Sequence, residues 1–434
     1  MSTRKMDALG AAILAVFIGT YIIISTEKVN RTGMALLGMG FAGVVLWGGG
    51  HEFHELVLGI EWDTILFVTS MMMIVAVAGG SGMFQFLALR ISKPRGGDHR
   101  RVFITFSLFV FVMSFFLDTT STMVIMAPLT IQVCKALDID FKPYLISEAI
   151  VCNFASIPSI VGAVPNLVIA GVTGLDPGFL FIAFMPLAII LLVVTLPIML
   201  HRYRESFGVT DEHRVDALFR IDPASMITSK RDFYASIIAF VILFVGFAIG
   251  PSVNITPPLV ALPVAGFMLV LSHKRANKFL TEVGWDTVFF LVGIFGLVVA
   301  LDITGLVDDL GYWIQAVVGN DAAFATVFMV WIPALLSSFL DNLPVSVLLA
   351  PIASSPELLA VSPVLPLALI FAVNVGGYLT PLGAPANIVT MSFAEKEGDH
   401  ISFLEFAKMG TILALIHLVI GSGWLLLVNF LMGG

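Results

Sequence analysis

The chain has 434 residues, 58% of them hydrophobic and 12% charged, with a mean hydropathy of +1.01 and a formal net charge of −8. Soluble domains are about a quarter charged and under half apolar, so a water-soluble globular protein is excluded. The apolar segments are continuous, which excludes an alternating transmembrane β-barrel, and no basic face is long enough to track nucleic-acid phosphates.

Taken in chain order, apolar runs long enough to cross hydrocarbon fall at 8–25, 33–50, 63–89, 144–171 and 178–200. A second set falls at 233–250, 257–272, 286–305, 364–392 and 405–432. The first run lacks a small-residue cleavage site and has the length of a span, so it reads as a helix and not as a signal peptide. Two further segments, 101–137 and 322–354, are interrupted at the centre by Asp118 and Asp341 and read as re-entrant helical hairpins. The expected fold class is therefore an all-α polytopic membrane protein of about 10 transmembrane helices plus two re-entrant hairpins.

The basic residues orient this arrangement. With the hairpins entering and leaving on one side, 20 of the 22 Lys and Arg residues fall in one set of loops, Arg31 among them. The opposite loops (51–62, 172–177, 251–257, 306–321 and 355–363) contain none. The positive-inside rule then predicts a multi-pass protein of the plasma (inner) membrane, with both termini extracellular or periplasmic and the 201–232 loop cytoplasmic. Arg4 and Lys5 alone fall on the wrong side.

The sequence is also duplicated. Trp62-Asp63-Thr64 recurs as Trp285-Asp286-Thr287, Phe116-Leu117-Asp118 as Phe339-Leu340-Asp341, and Ala127-Pro128 as Ala350-Pro351, each 223 residues later. Asn153, Gly162 and Asn166 recur as Asn374, Gly383 and Asn387 at a spacing of 221. Each half carries an odd number of spans, so the second half is expected upside down. Inverted repeats that meet at the bilayer midplane are an architecture of secondary transporters. The expected organisation is a first repeat over 1–200 (hairpin 101–137, broken helix 144–171), a cytoplasmic linker over 201–232, and a second repeat over 233–434 (hairpin 322–354, broken helix 364–392).

Each repeat has a polar hairpin tip, Asp118-Thr119-Thr120-Ser121 or Asp341-Asn342-Leu343-Pro344. Each also has a span broken by Gly, Pro and polar residues, running from Asn153 to Asn166 and from Asn374 to Asn387. Unwound backbone at membrane depth survives only beside protein or a water-filled cavity, where its amides, carbonyls and half-helix ends can hold solutes and ions. A charged Asp at the bilayer centre costs about 2.5–3.5 kcal/mol, which argues against a lipid-facing position for Asp118 and Asp341. They can bind an ion or proton beside a solute, cap the second helix of each hairpin, or do both. Glu148 has Leu369 as its counterpart; it is either an intramembrane proton carrier or a partner of Lys142 near the cytoplasmic surface.

Several other features point elsewhere. His51-Glu52-Phe53-His54-Glu55 lacks the spacing of a helical zinc motif and reads as an external turn, and no metal site is expected. Asp302 reads as an outer-interface residue. Cys134 and Cys152 form no disulfide framework, and Cys152 reads as a packing residue. No phosphate-binding loop is present, so a proton or sodium gradient, with no cofactor, is the expected energy source; no enzyme activity is expected.

Phe-Leu-Asp at a hairpin tip followed by Ala-Pro, then Glu148, Asn153 and Gly162 to Asn166, resembles the ion transporter superfamily. The segment Asn374-Val-Gly-Gly-Tyr-Leu-Thr-Pro-Leu-Gly-Ala-Pro-Ala-Asn387 carries the resemblance most specifically. The arsenite permease and P-protein branch is nearest, with NhaD-type sodium/proton antiporters and sodium-coupled dicarboxylate symporters further off. The resemblance implies outer spans around a transport core of hairpin tips and broken helices. Its first site would use Asp118, Thr119, Thr120, Asn153, Ser156, Ser159 and Asn166. Its second would use Asp341, Asn342, Asn374, Gly376, Gly377, Thr380 and Asn387, with Asp118, Asp341 and Glu148 as the proton-coupling candidates. The first break departs from the family's Gly-Gly-x-x-Thr pattern at Phe154 to Ser159, which points to single-ion or proton coupling in place of two sodium sites.

Both tips begin with Asp, and no Lys or Arg is expected near either tip. Two carboxylates repel a dicarboxylate unless cations intervene. The expectation is therefore proton-coupled efflux of arsenite or antimonite, which are neutral hydroxides at neutral pH. The alternatives are a sodium/proton antiporter and a sodium-coupled di- or tricarboxylate transporter. The bilayer is the expected partner besides the solute and its coupling ion. A homodimer and an ATPase subunit stay open.

Overall fold

The computed structural model of the protein describes residues 8–25, 28–92, 98–208, 223–253 and 255–432. The centre of the 201–232 linker, the first seven residues, and Lys93 and Arg95 lie outside the described residues. No strand occurs among those described. Among the described residues, six helices are long and apolar enough to cross a membrane: Arg31–Gly48, Trp62–Gly80, Pro177–Arg202, Trp285–Ile303, Ala322–Phe339 and Phe403–Leu431. Their outer faces are apolar and exposed, as at Trp47, Val193 and Phe430, while Asn, Ser and Thr side chains are buried inside. That inversion is what a hydrocarbon solvent selects.

Three of the predicted spans are divided. The run 63–89 becomes Trp62–Gly80 and Met83–Ser92, with Gly82 between them at φ 84°. A Cβ on Gly82 would lie 1.8 Å from the Met226 carbonyl oxygen, so only glycine fits that corner. The runs 144–171 and 364–392 become Lys142–Ala155 with Val164–Thr173, and Leu365–Gly376 with Pro385–Lys396. The breaks fall where Pro158, Gly162, Pro381 and Gly383 interrupt helical hydrogen bonding. Short helices over Phe53–Leu58, Ala276–Glu282 and Pro356–Val361 lie outside the predicted runs.

Helix boundaries recur at the spacing of the sequence landmarks. Phe53, Trp62, His99, Thr119 and Lys142 begin helices, and so do Ala276, Trp285, Ala322, Asn342 and Leu365, each 223 residues later. The helices that lead into the two breaks end at Ala155 and Gly376, 221 apart. The spacing therefore changes from 223 to 221 within those helices.

Packing sorts the helices into two groups. Arg31–Gly48 packs on Ala8–Ser25 and Trp285–Ile303, while Pro257–Leu271 packs on Lys230–Ile249 and Trp62–Gly80. These six form a scaffold. Inside the core, the first helix of each hairpin packs on its own broken helix: His99–Met113 on Lys142–Ala155, and Ala322–Phe339 on Leu365–Gly376. The second helices cross over, Thr119–Leu137 lying against Pro385–Lys396 and Asn342–Ala353 against Val164–Thr173. This exchange brings both hairpin tips and both breaks to one place.

Candidate transport site

A cavity of about 530 Å³ collects both tips. Asp118, Thr119, Thr120 and Ser121 line it from the first hairpin, and Asp341, Asn342 and Leu343 from the second. Val164, Pro165 and Pro385, which open the second half of each broken helix, also face it. The scaffold contributes Arg31, Met72, Gly79, Gly80, Asp286 and Thr287. Four carboxylates (Asp118, Glu282, Asp286, Asp341) face one basic side chain, Arg31, among the described lining residues.

The tip aspartates cap helices and face the cavity at once. Asp118 precedes Thr119–Leu137 and its Oδ1 accepts from the backbone N–H groups of Thr120 and Ser121, each at 3.0 Å. Its Oδ2 accepts from the Ser121 hydroxyl. Asp341 precedes Asn342–Ala353 and its Oδ1 accepts from the Leu343 N–H at 3.2 Å. At the position of Ser121 the second tip has Pro344, which offers neither a hydroxyl nor an N–H. Asp341 Oδ2 instead accepts from Arg31 Nη1 at 2.9 Å.

Arg31 thus corrects the expectation that no basic residue is near a tip. It lies 310 positions from Asp341, and nothing in its local sequence separates it from the other loop arginines. It begins the helix Arg31–Gly48, which Asn30 caps through Oδ1 and the Gly33 N–H. Its guanidinium also stands 3.7 Å from Asp286 Oδ2 and over the Phe290 ring.

Of the other predicted residues, none of Asn153, Ser156, Ser159, Asn166, Asn374, Gly376, Gly377, Thr380 and Asn387 lines this cavity. They form a buried clasp between the breaks. Asn153 Nδ2 donates to Asn387 Oδ1 at 3.2 Å, and Asn374 Nδ2 donates to Asn166 Oδ1 at 2.6 Å. Ser156 Oγ donates to Asn374 Oδ1. Asn166 also donates to the Ser156 and Ser159 carbonyls, and Asn387 to those of Gly377 and Thr380. Ser159 and Thr380 donate their hydroxyls to the carbonyls of Phe115 and Ser338, one turn before each tip. The clasp supplies the unwound carbonyls with donors that water would otherwise provide.

Glu148 is buried and its Oε1 accepts from the Thr130 hydroxyl at 2.7 Å; its Oε2 meets no hydrogen-bond donor among the described residues. Lys142 pairs with Asp399 at 2.9 Å, so the Glu148–Lys142 pairing does not form. Asp302 is exposed at the end of Trp285–Ile303, away from the cavity. Cys152 is buried and its thiol donates to the Thr119 carbonyl, which is packing. Sequence reading missed Arg31, Glu282 and Asp286. It also missed His417, whose ring bridges Thr195 and Tyr378 behind the second break.

The sequence pattern of the citrate transporter (CitMHS) family matches residues 21–358, most of the chain and including both tips. The chain belongs to the citrate transporter family. A Mycobacterium leprae relative described as a 46 kDa membrane protein is 30% identical, over 95% of this chain and 97% of that protein. A transporter of Mycobacterium bovis is 29% identical over 98% and 100%. The human P protein is 26% identical; the match spans this whole chain and 61% of that protein. In three dimensions the chain is similar to the YdaH transporter of Alcanivorax borkumensis, with a TM-score of 0.59, 15% identity and 88% of each chain covered. These likenesses agree with the superfamily and P-protein resemblance read from the tips. This family member is a secondary membrane transporter whose described regular secondary structure is all helical.

Proposed function

We propose that this transporter exports arsenite or antimonite in exchange for protons, by alternating access of the cavity that holds Asp118 and Asp341. The observation that carries the reading is the charge of that cavity: four carboxylates against one guanidinium already paired with two of them. Such a site repels a bare anion. A neutral hydroxide can donate its O–H groups to carboxylates and accept from Thr119, Thr120 and Asn342. Protonating a tip aspartate removes both an acceptor and a charge, which makes proton and solute alternative occupants of the same place. Glu148, a buried carboxyl on the helix packed behind the first tip, is the further proton-coupling candidate.

The test is radiolabelled arsenite accumulation in everted vesicles, with and without an imposed pH gradient. Gradient-driven accumulation that an uncoupler collapses is expected, and the Asp118→Asn/Asp341→Asn double variant should lose it. Accumulation undiminished in that variant would overturn the assignment of the tips.

A second reading is favoured by Arg31 and by the family's description as citrate transporters. A guanidinium is suited to a carboxylate, and sodium ions on Asp118 and Asp341 would offset the repulsion. Sodium-dependent citrate uptake by the same vesicles, with no arsenite accumulation, would select it.

A further inference from the structure

We propose that Arg31 is a positioning residue of the transporter: it latches the second hairpin tip to the scaffold, and loss of its ion pair with Asp341 frees the tip to move. The inference rests on the alternating-access reading above but not on the identity of the solute.

The two tips are held differently. Asp118 completes its hydrogen bonding within its own tip, through Thr120 and Ser121. Pro344, which stands where Ser121 stands in the first hairpin, supplies neither of the two Ser121 donors, and Asp341 accepts from the Leu343 N–H. Its outer oxygen therefore reaches Arg31, the first residue of a scaffold helix. The Tyr21 hydroxyl, on the neighbouring scaffold helix, donates to the Pro344 carbonyl of the same tip at 3.1 Å. Any displacement of this tip relative to the scaffold by more than about an ångström lengthens these contacts past hydrogen-bonding range.

Release is made easy by the surroundings of Arg31. The side chains of Arg31 and Asp341 are 35% and 22% exposed, so water reaches the pair from the cavity. Asp286, on the scaffold, already stands 3.7 Å from the guanidinium. When a proton, cation or solute occupies Asp341, Arg31 keeps Asp286 and the Phe290 ring as partners and is not stranded. Among the described residues that line the cavity, the other charged groups are Asp286 on the scaffold and, across the cavity, Asp118 and Glu282. An empty Asp341 is latched, and an occupied one is not.

The test reads the cavity's accessibility and not transport. In a background with Cys134→Ala and Cys152→Ala, Val124→Cys places a thiol on the cavity wall for an aqueous maleimide. Arg31→Gln should slow labelling about three- to fivefold, the population shift that a half-exposed ion pair supplies. Arg31→Lys should stay within about twofold of the parent, because it keeps the charge. Labelling at the parent rate in Arg31→Gln, or Arg31→Lys as slow as Arg31→Gln, would overturn the latch. If Arg31→Gln does not fold, Asp341→Asn removes the pair from the other side while Asn still caps the helix. It should slow labelling equally, and the parent rate would refute the proposal. Transport loss in Asp341→Asn bears on the proposed function, whereas its labelling rate bears on the latch, so the two can fail separately.

Discussion

A primary amide carries two N–H donors and an acceptor oxygen, and the asparagines of the two breaks spend most of theirs on each other and on backbone carbonyls of the breaks and of the helices that lead into them. Asn374 shows the arithmetic: Nδ2 donates to Asn166 Oδ1 and to the Ile370 carbonyl, and Oδ1 accepts from Ser156. Asn374→Ala leaves the Asn166 and Ser156 groups buried with fewer partners, and each such loss costs about 1–3 kcal/mol. We expect a lower thermal midpoint in detergent and a transport defect that follows the unfolded fraction; an unchanged midpoint would refute the clasp as a stabilising element. The sequence marks these asparagines clearly, because polar residues repeated inside two helix breaks have few other uses. It could not separate a cavity set from a clasp set, since the pairings join residues 208 to 234 positions apart. Arg31 was hidden for the same reason. Its role follows from Pro344 denying Asp341 the N–H and hydroxyl that Ser121 gives Asp118, and only the folded contact shows that Arg31 reaches the outer oxygen.

At the scale of elements, close approach of helices replaces the hydrophobic drive that lipid removes. Ala322–Phe339 and Leu365–Gly376 meet at Gly376, where an added Cβ would lie 2.3 Å from the Ala334 carbonyl oxygen. Backbone cannot yield as a side-chain tip can, so Gly376→Ala should force the hairpin off the broken helix. The expected cost is about 1–3 kcal/mol of overpacking, read as a lower thermal midpoint together with reduced transport. Gly423, within the helix Phe403–Leu431, has open space at its Cβ position, and Gly423→Ala should be neutral or slightly stabilising. Equal behaviour of the two variants would refute the packing argument. The breaks themselves were legible because Gly and Pro cluster there with polar residues. The six-residue helix Phe53–Leu58 was not, because so short a segment carries too little periodicity to register.

Across the whole molecule, the alternation of loops that carry Lys and Arg with loops that carry none predicts an orientation that the cavity can test. Arg31 and Glu282 come from loops assigned by their basic residues to the cytoplasmic side, Asp286 opens the span that follows the second of these loops, and all three line the cavity that also holds both tips. The cavity should therefore open to the cytoplasm, as the export proposed above requires. The duplicated landmarks made the hairpins and breaks readable, but not the crossing of Thr119–Leu137 onto Pro385–Lys396 and of Asn342–Ala353 onto Val164–Thr173. Such crossing depends on contacts between repeats, which a pattern within either repeat does not encode. In the same cysteine-free background, Glu282→Cys at the cavity rim gives a direct check of orientation. A membrane-impermeant maleimide should label it in everted vesicles and leave it unlabelled in intact cells. The reverse pattern would turn the chain over, set its lysine- and arginine-rich loops outside, and make the cavity one that loads from the exterior.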